Sequence, residues 1–422
     1  MSQLKNNISL TQPLSATTTS SNATLGAVLL VAGTCIGSGM IALPLVLAKL
    51  GLVPSLLLML GMWFVMYYTS LVNIELNLQA DKALPLGGLG RYFSGRIAEL
   101  IGTLSLKVLS YSLLAVYIYG GSSIVQQLLA SKMAMAYSFE GVASCFSLGT
   151  MIILLFPIKY IDYFNRILFL GLLVVVTILI VGLALSITWT HIPLFSDQYT
   201  DLSAWLTLIP VVFTSFGFQV IFHTLTNYCR KNPNMLKQAF LWGSFIPAIV
   251  YIFWTATILS VVYHENPGFY STIMQGKAEI GDLIQVLSSI AKWPSVQLLI
   301  WAISLLAIVT SIVGVGMGLF DAVKEMLPRS LSKNKHRDIV TSVAVVGPAY
   351  LAVLYIPNAF ITVLGFAGMI LAIIAIVLPT YLFWKLQTSH LYYNELKENW
   401  LIQLSFFVGI TVIACEIYTM LL

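Results

Sequence analysis

Apolar residues run through this chain in long stretches, without the strict alternation of a half-buried strand or the single stripe of a surface helix. Charges and turn residues cut these stretches into eleven segments: about 24–49, 53–75, 97–129, 142–158, 165–189, 202–226, 239–263, 295–320, 339–356, 358–383 and 399–421. A helix needs about 17–25 apolar residues to cross a bilayer, so the pattern predicts an all-α membrane protein with eleven transmembrane helices. The longest connection, His264 to Pro294, is predicted to hold a short amphipathic helix around Ile280–Ile290. Residues 1–23, rich in Ser, Thr and Asn with one lysine, read as a disordered cytoplasmic tail. They are no signal peptide, because the apolar run behind them is too long.

Composition agrees. Of 422 residues 59% are hydrophobic and 9% charged, with a mean hydropathy of +0.91. A water-facing surface needs about 25% charged residues, so lipid is the solvent here. That excludes soluble enzymes and nucleic-acid modules as readings. Cys35, Cys145, Cys229 and Cys415 show no paired metal or redox spacing and no disulfide framework; a Cys145–Cys415 bridge near the outer face is a candidate.

The net charge of +5 is topological. With the N-terminus inside, the inner segments carry Lys5, Lys82, Arg91, Arg96, Lys159, Arg166, Arg230, Lys231, Lys237, Lys324, Arg329, Lys333, Lys335, Arg337, Lys385 and Lys397. The outer segments carry only Lys49, Lys132, Lys277 and Lys292. The expectation is a multi-pass protein of a bacterial-type inner (plasma) membrane, N-terminus cytoplasmic and C-terminus outside.

Two segments are interrupted near their middles. The first contains Gly33-Thr34-Cys35-Ile36-Gly37-Ser38-Gly39-Met40 and the sixth contains Thr214-Ser215-Phe216-Gly217-Phe218-Gln219. Each glycine weakens a helix by about 1 kcal/mol relative to alanine. Small residues also permit close helix packing, but two interruptions five segments apart indicate more. Five is odd, so a five-helix repeat returns inverted, and paired broken helices in two halves point to a transporter site. The halves are 24–189 and 202–383, with 399–422 as an additional eleventh helix.

A broken helix offers amide N–H groups from one half and carbonyls from the other. A zwitterionic amino acid needs both. Amides at Gly37, Ser38 and Gly39 are candidates for an α-carboxylate; carbonyls at Thr34 and at Thr214, Ser215 and Phe216 are candidates for an α-ammonium. Glycine, including Gly217, lets a ligand approach the backbone.

At these positions the chain resembles the hydroxy/aromatic amino acid permease family of the amino acid–polyamine–organocation superfamily. The resemblance rests on Ala32-Gly-Thr-Cys-Ile-Gly-Ser-Gly-Met-Ile-Ala-Leu-Pro44, Phe213-Thr-Ser-Phe-Gly-Phe-Gln219 and Ala307-Ile-Val-Thr-Ser-Ile-Val-Gly-Val-Gly-Met-Gly-Leu-Phe-Asp321, and more loosely on 362–379 with its Gly365-Phe-Ala-Gly368. The second and third stretches look closest to the tyrosine-specific branch. The resemblance implies a LeuT-like 5+5 inverted repeat, import of an aromatic amino acid, and coupling to a proton gradient without an organic cofactor. It also implies that Thr310 and Ser311 complete a sodium site with backbone carbonyls near Gly33 and Ile36, which keeps sodium as a rival coupling ion. Tyrosine permeases tend to carry histidine where this chain has Gln219, and relatives carry an apolar residue where it has Lys107.

The polar groups within the segments have competing readings. An intramembrane charge costs at least about 2.5–3.5 kcal/mol. Counted from the start of segment 3, Lys107 falls at mid-membrane, as a proton carrier or fixed cation, or else as a snorkelling lysine or one paired with a carboxylate such as Glu75. Tyr111 and Tyr117 share its helical stripe and either line a site or pack. Phe216 or Phe218 can stack on an aromatic substrate or face lipid, and Gln219 can bind a phenolic hydroxyl. Thr310 and Ser311 can equally bond their own helix. His223 reads as an interface histidine or a proton relay, Glu416 as an interfacial residue outside the core, and Asp321, Lys324 and Glu325 as a gate or a cap.

The function predicted is secondary active import of an aromatic amino acid, tyrosine first and tryptophan or phenylalanine next, by cation symport through alternating access. Serine or threonine transport on the same fold, a channel and an intramembrane enzyme are the rivals. No filter motif supports a channel, and no catalytic constellation supports an enzyme. Expected partners are the substrate and the lipid bilayer, with no nucleic acid; oligomeric state is not encoded in any feature read here.

Overall fold

A computed structural model describes residues 16–421, except 82, 134–136, 157, 187–192, 292–293, 327–333, 357–358, 387 and 389. Lys5, Lys82, Lys292, Arg329 and Lys333 of the charge pattern therefore lie outside the described residues. Every described regular element is helical. They are α1 (Ala16–Cys35), α2 (Ser38–Leu47), α3 (Leu52–Gln79), α4 (Leu86–Phe93), α5 (Arg96–Met133), α6 (Phe139–Leu154), α7 (Ile158–Ser186), α8 (Leu202–Ser215), α9 (Phe222–Tyr228), α10 (Pro233–Glu265), α11 (Pro267–Met274), α12 (Ile280–Ile290), α13 (Pro294–Met326), α14 (Asn334–Tyr355), α15 (Ala359–Ala372), α16 (Leu378–Lys385) and α17 (Asn399–Leu421).

Among the described residues eight helices are long and apolar enough to cross a membrane, nine if α1 and α2 count as one bent span. Two further predicted segments coincide with helices whose described apolar parts, Phe139–Leu154 and Ile167–Gly182, are shorter. Helix α1 starts at Ala16, ahead of the expected boundary at 24. The surface suits a lipid solvent: Ile97, Leu104, Leu298 and Phe407 all stand exposed. The protein is a multi-pass membrane protein.

Polar side chains start the helices. Asp201 caps α8 through the Ser203 amide, Asn232 caps α10 through Met235, and Asn266 caps α11 through Phe269. The amphipathic helix expected in the long connection is α12, opened by a reciprocal Glu279–Asp282 capping box.

The face on which α1 begins is called here the near face. There Glu75 accepts the Tyr392 and Tyr393 amides, and Tyr393 donates to the Pro233 carbonyl at 2.8 Å. Glu75 thus anchors the segment before α17, and is not paired with Lys107 as one reading had it. Lys237 pairs with Glu395, and Lys324 with Asp338 at 2.6 Å, beside the near end of α13. All four cysteines are free; Cys145 is exposed and Cys415 buried, so the candidate bridge is not formed.

Helix α5 is the central post, packed on α13, α15, α14 and α12. Helix α10 packs on α1 and α3, and α8 lies between α15, α17 and α2. The span α15–α16 is joined by a π-helical turn, Ile373–Val377, where the Asn73 side chain of α3 donates to the Ala375 carbonyl at 3.2 Å.

Candidate functional site

Both predicted interruptions are present. The first separates α1 from α2 at Ile36–Gly37 with a 48° bend. The second separates α8 from a 3₁₀ turn (Gln219–Ile221) that leads into α9. They face each other because α2 packs on α8, and two glycines set the spacing. A Cβ on Gly39 would meet the Ser215 backbone at 2.8 Å. A Cβ on Gly37 would meet the Ser311 hydroxyl of α13 at 2.2 Å. Only glycine permits both approaches.

Between the breaks lies a cavity of about 20 Å³, lined by Thr34, Cys35, Gly37, Gly39, Tyr117, Thr214, Ser215 and Gly217, with Leu109, Leu113, Val220, Leu364 and Leu371. By the same measure it has room for about one water molecule. No Asp, Glu, Lys, Arg or His lines it, so recognition of a charged ligand there falls to backbone groups and hydroxyls. The first amides of α2 point into the break, as at any helix N-terminus.

The facing carbonyls already have a partner. Tyr251 of α10 places its hydroxyl 2.6 Å from the Cys35 carbonyl and 2.9 Å from that of Ser215. Its one proton is shared between the carbonyl ends of two broken helices. Both carbonyls are buried, and the hydroxyl meets the requirement that such groups be paired. Sequence reasoning missed Tyr251, because it stands in an apolar run, Ala248-Ile-Val-Tyr-Ile-Phe, that carries no local signal of a partner. Thr214 donates to its own helix at Pro210 (2.7 Å) and to the Leu364 carbonyl of α15 (3.0 Å), tying break to neighbour.

Other predicted residues lie elsewhere. Tyr117 reaches the cavity, but Tyr111 donates to the Ala344 carbonyl of α14 at 3.0 Å. Phe216 is fully buried edge-on against Tyr251, and Phe218 packs with Phe222 and Phe240. Neither faces lipid and neither lines the cavity. The Gln219 side-chain oxygen accepts the Phe218 amide at 2.9 Å, so it satisfies the backbone at the break. Thr34 donates to Leu30 on its own helix, Gly33 packs beside Phe169, and Ile36 is fully buried. Thr310 and Ser311 both donate to carbonyls of their own helix, at Leu306 and Ala307. Of Ser38 only the backbone is described.

Lys107 is not among the residues that line the central cavity. Its ammonium lies 2.8 Å from the sulfur of Met326, the last residue of α13. The 38 residues of α5 span about 57 Å, well over a bilayer core of about 30 Å. Glu416, read as interfacial, is 3% exposed and packs on Gly365 of α15. His223 is half-buried on α9.

A larger cavity, about 220 Å³, opens at the far face, lined by Leu45, Val46 and Lys49 after the first break, Ala204, Thr207 and Leu208 of α8, Tyr119 of α5, Phe360 of α15 and the 276–280 segment. Tyr119 donates to Glu279 there at 3.1 Å. The walls are continuations of α2, α5, α8 and α15, which also enclose the central cavity.

A small uncharged cavity between two broken helices, inside a bundle with an apolar exterior, defines a multi-pass membrane protein with an internal candidate site. Comparison with known sequences then gives the lineage: the chain belongs to the tryptophan/tyrosine permease family, matched over residues 20–416. It is 30% identical to the tyrosine-specific transport system 1 of Haemophilus influenzae, over 87% of this chain and 90% of that protein. It is 26% identical to a tryptophan-specific transport protein of Pseudomonas aeruginosa, covering 84% of each. It is also 27% identical to glutamine transporter 2 of Aliivibrio fischeri, over 84% of this chain and 87% of that one. The family and these relatives are transport proteins, not enzymes.

Proposed function

We propose that the chain imports an aromatic amino acid, tyrosine first, across a bacterial-type inner membrane by proton symport through alternating access. The observation that carries the reading is the central cavity, uncharged and framed by the two helix breaks. Once the walls part, a zwitterion would place its carboxylate at the α2 N-terminus and its ammonium at the Cys35 and Ser215 carbonyls, displacing the Tyr251 hydroxyl. At about 20 Å³ the cavity is closed, so binding requires the walls to part. The far-face cavity above it is the entry, which makes the near face cytoplasmic. In this reading the eleven helical segments are eleven spans in a LeuT-like 5+5 arrangement, and the group α1–α3 with α8–α10 rocks against α5, α6, α13 and α14.

Tyrosine is favoured over tryptophan and phenylalanine by the 30%-identical relative. The glutamine transporter among the relatives favours a second reading, a polar amino acid such as glutamine or serine. Uptake of labelled tyrosine into proteoliposomes, competed by tryptophan, phenylalanine, serine and glutamine, separates the two. Imposing pH and sodium gradients separately decides the ion. Accumulation driven by sodium alone would move the coupling role toward the Thr310–Ser311 hydroxyls, whose oxygens keep free lone pairs while their protons bond the helix.

A further inference from the structure

Helix α17 turns one stripe inward: Ile402, Ser405, Gly409, Val412 and Glu416 are buried, at helical spacings of three and four. The first four are small or apolar, as a helix contact in lipid requires. Glu416 is a carboxyl group at the same kind of position, 3% exposed. It is seated in a notch: a Cβ on Gly365 would meet its carboxyl oxygen at 2.6 Å. Nothing about helix packing calls for a carboxyl group there, and an ionisable group buried between membrane helices is costly when charged.

Among the described residues, the helices that pack most closely on α17 offer Glu416 no charge partner. Helices α8 and α15 and the π turn Ile373–Val377 contain no ionisable residue. On α3, Glu75 and Tyr68 are engaged at the near face, with Tyr392, Tyr393 and the Glu395 carbonyl. Glu395 and Lys397 stand before the near end of α17, about 27 Å of helix from residue 416. On α17 itself Cys415 is the adjacent titratable side chain. A carboxylic acid suits this notch; a carboxylate would require water or a donor that these helices do not supply.

The notch is joined to the substrate cavity. Leu364, next to Gly365, accepts the Thr214 hydroxyl at 3.0 Å. One turn further, Gly368 lies against Pro210 and Thr214, where a Cβ would meet the Pro210 carbonyl at 2.3 Å. Gly365 and Gly368, three residues apart on one face of α15, thus meet the carboxyl group of α17 and the second broken helix in turn.

We infer that Glu416 is the binding site of the coupling proton. The inference rests on the proton-symport reading above. Its carboxylate takes a proton from far-side water as α17 and α15 part, forming an O–H bond, and the neutral acid lets the two helices close over Gly365. Closure sets the Leu364 carbonyl against Thr214. The proton returns to near-side water when the opposite opening lets water reach the notch.

The test compares wild type, Glu416→Gln and Glu416→Asp in proteoliposomes. Glutamine is a permanent mimic of the neutral acid, so Glu416→Gln is expected to keep tyrosine–tyrosine exchange within about threefold of wild type. It should lose pH-driven accumulation at least tenfold, and the pH dependence of its exchange affinity should vanish. Glu416→Asp, which still titrates, should recover part of the accumulation. Accumulation by Glu416→Gln equal to that of a pH-driven wild type overturns the inference and leaves the symport reading intact. Loss of exchange together with accumulation in Glu416→Gln marks a merely structural role and also overturns it. A wild type that exchanges tyrosine but ignores the pH gradient overturns the symport reading, and the inference with it.

Discussion

The hydroxyl of Tyr251 lies 2.6 Å from the carbonyl oxygen of Cys35, where the first broken helix ends. The same hydroxyl is 2.9 Å from the Ser215 carbonyl, so one side chain on a third helix occupies the acceptors that a substrate ammonium would use. Tyr251→Phe keeps the edge-on contact with Phe216 and removes only the donor. Two buried carbonyls are then left short of a partner, a cost of about 1–3 kcal/mol. The variant should melt below wild type in detergent, while saturating tyrosine should raise its melting point more than it raises wild type's. An equal ligand-induced rise in both would show that substrate does not reach these carbonyls.

The contact between Gly37 and Ser311 leads to a paired test. A methyl group on Gly37 would sit 2.2 Å from the serine oxygen, well inside contact distance. Gly37→Ala should reduce tyrosine uptake at least tenfold with expression preserved. Adding Ser311→Ala removes the clashing oxygen, leaving a tight 3.3 Å contact to the serine β-carbon, and should restore part of the rate. Uptake rates of the single and double variants, normalised to protein in the membrane, check this.

Gln219 serves the backbone at the second break. Replacing it with leucine leaves the buried Phe218 amide without its acceptor, again a cost of about 1–3 kcal/mol. Gln219→Leu is therefore expected to lower the melting temperature and the maximal uptake rate together. Competition among tyrosine, phenylalanine and tryptophan should keep its wild-type order, because the side chain does not line the cavity. A changed order would return Gln219 to substrate recognition.

Lys107 meets Met326 at a helix end and is not among the residues that line the central cavity. Lys107→Met should accumulate tyrosine within about twofold of wild type at the same pH gradient. Collapse of accumulation with exchange intact would restore the lysine as a coupling group.

At the far face Glu279 provides a pH test outside the spans. Burial raises its carboxyl above the ordinary value of 4.5; the hydrogen bond from Tyr119 opposes this, and the Asp282 charge adds to it. With the folded-state value above the unfolded one, the folded state holds more proton between the two. Stability contributed by this group is therefore full at low pH and falls as pH rises from about 4.5 through the folded value. Glu279→Gln should flatten that fall in a melting-temperature profile.

The positions of both breaks were readable because glycine, serine and threonine inside an apolar run have a direct local consequence for a helix. The amphipathic α12 was readable for the same kind of reason, a periodicity contained within eleven residues. The partners were not. Tyr251 acquires its role from two carbonyls 216 and 36 residues away in the chain, and no pattern around position 251 encodes them. The partner of Lys107 was equally illegible, since Met326 stands 219 residues away in the chain. Glu416 was misread because proximity to the end of a segment says nothing of whether a neighbour carries a notch to receive it.

The π-helical turn at Ile373–Val377 gives its span a change of phase. A π turn adds the equivalent of about one residue, which rotates everything beyond it by about 100° relative to an uninterrupted α-helix. Before the turn, Gly365 and Gly368 address α17 and α8; after it, Leu378 reaches Gly102 on α5. One continuous rod thereby shows different faces to different neighbours at its two ends. Such a rod can transmit a twist at one end as a changed fit at the other without any change in its length.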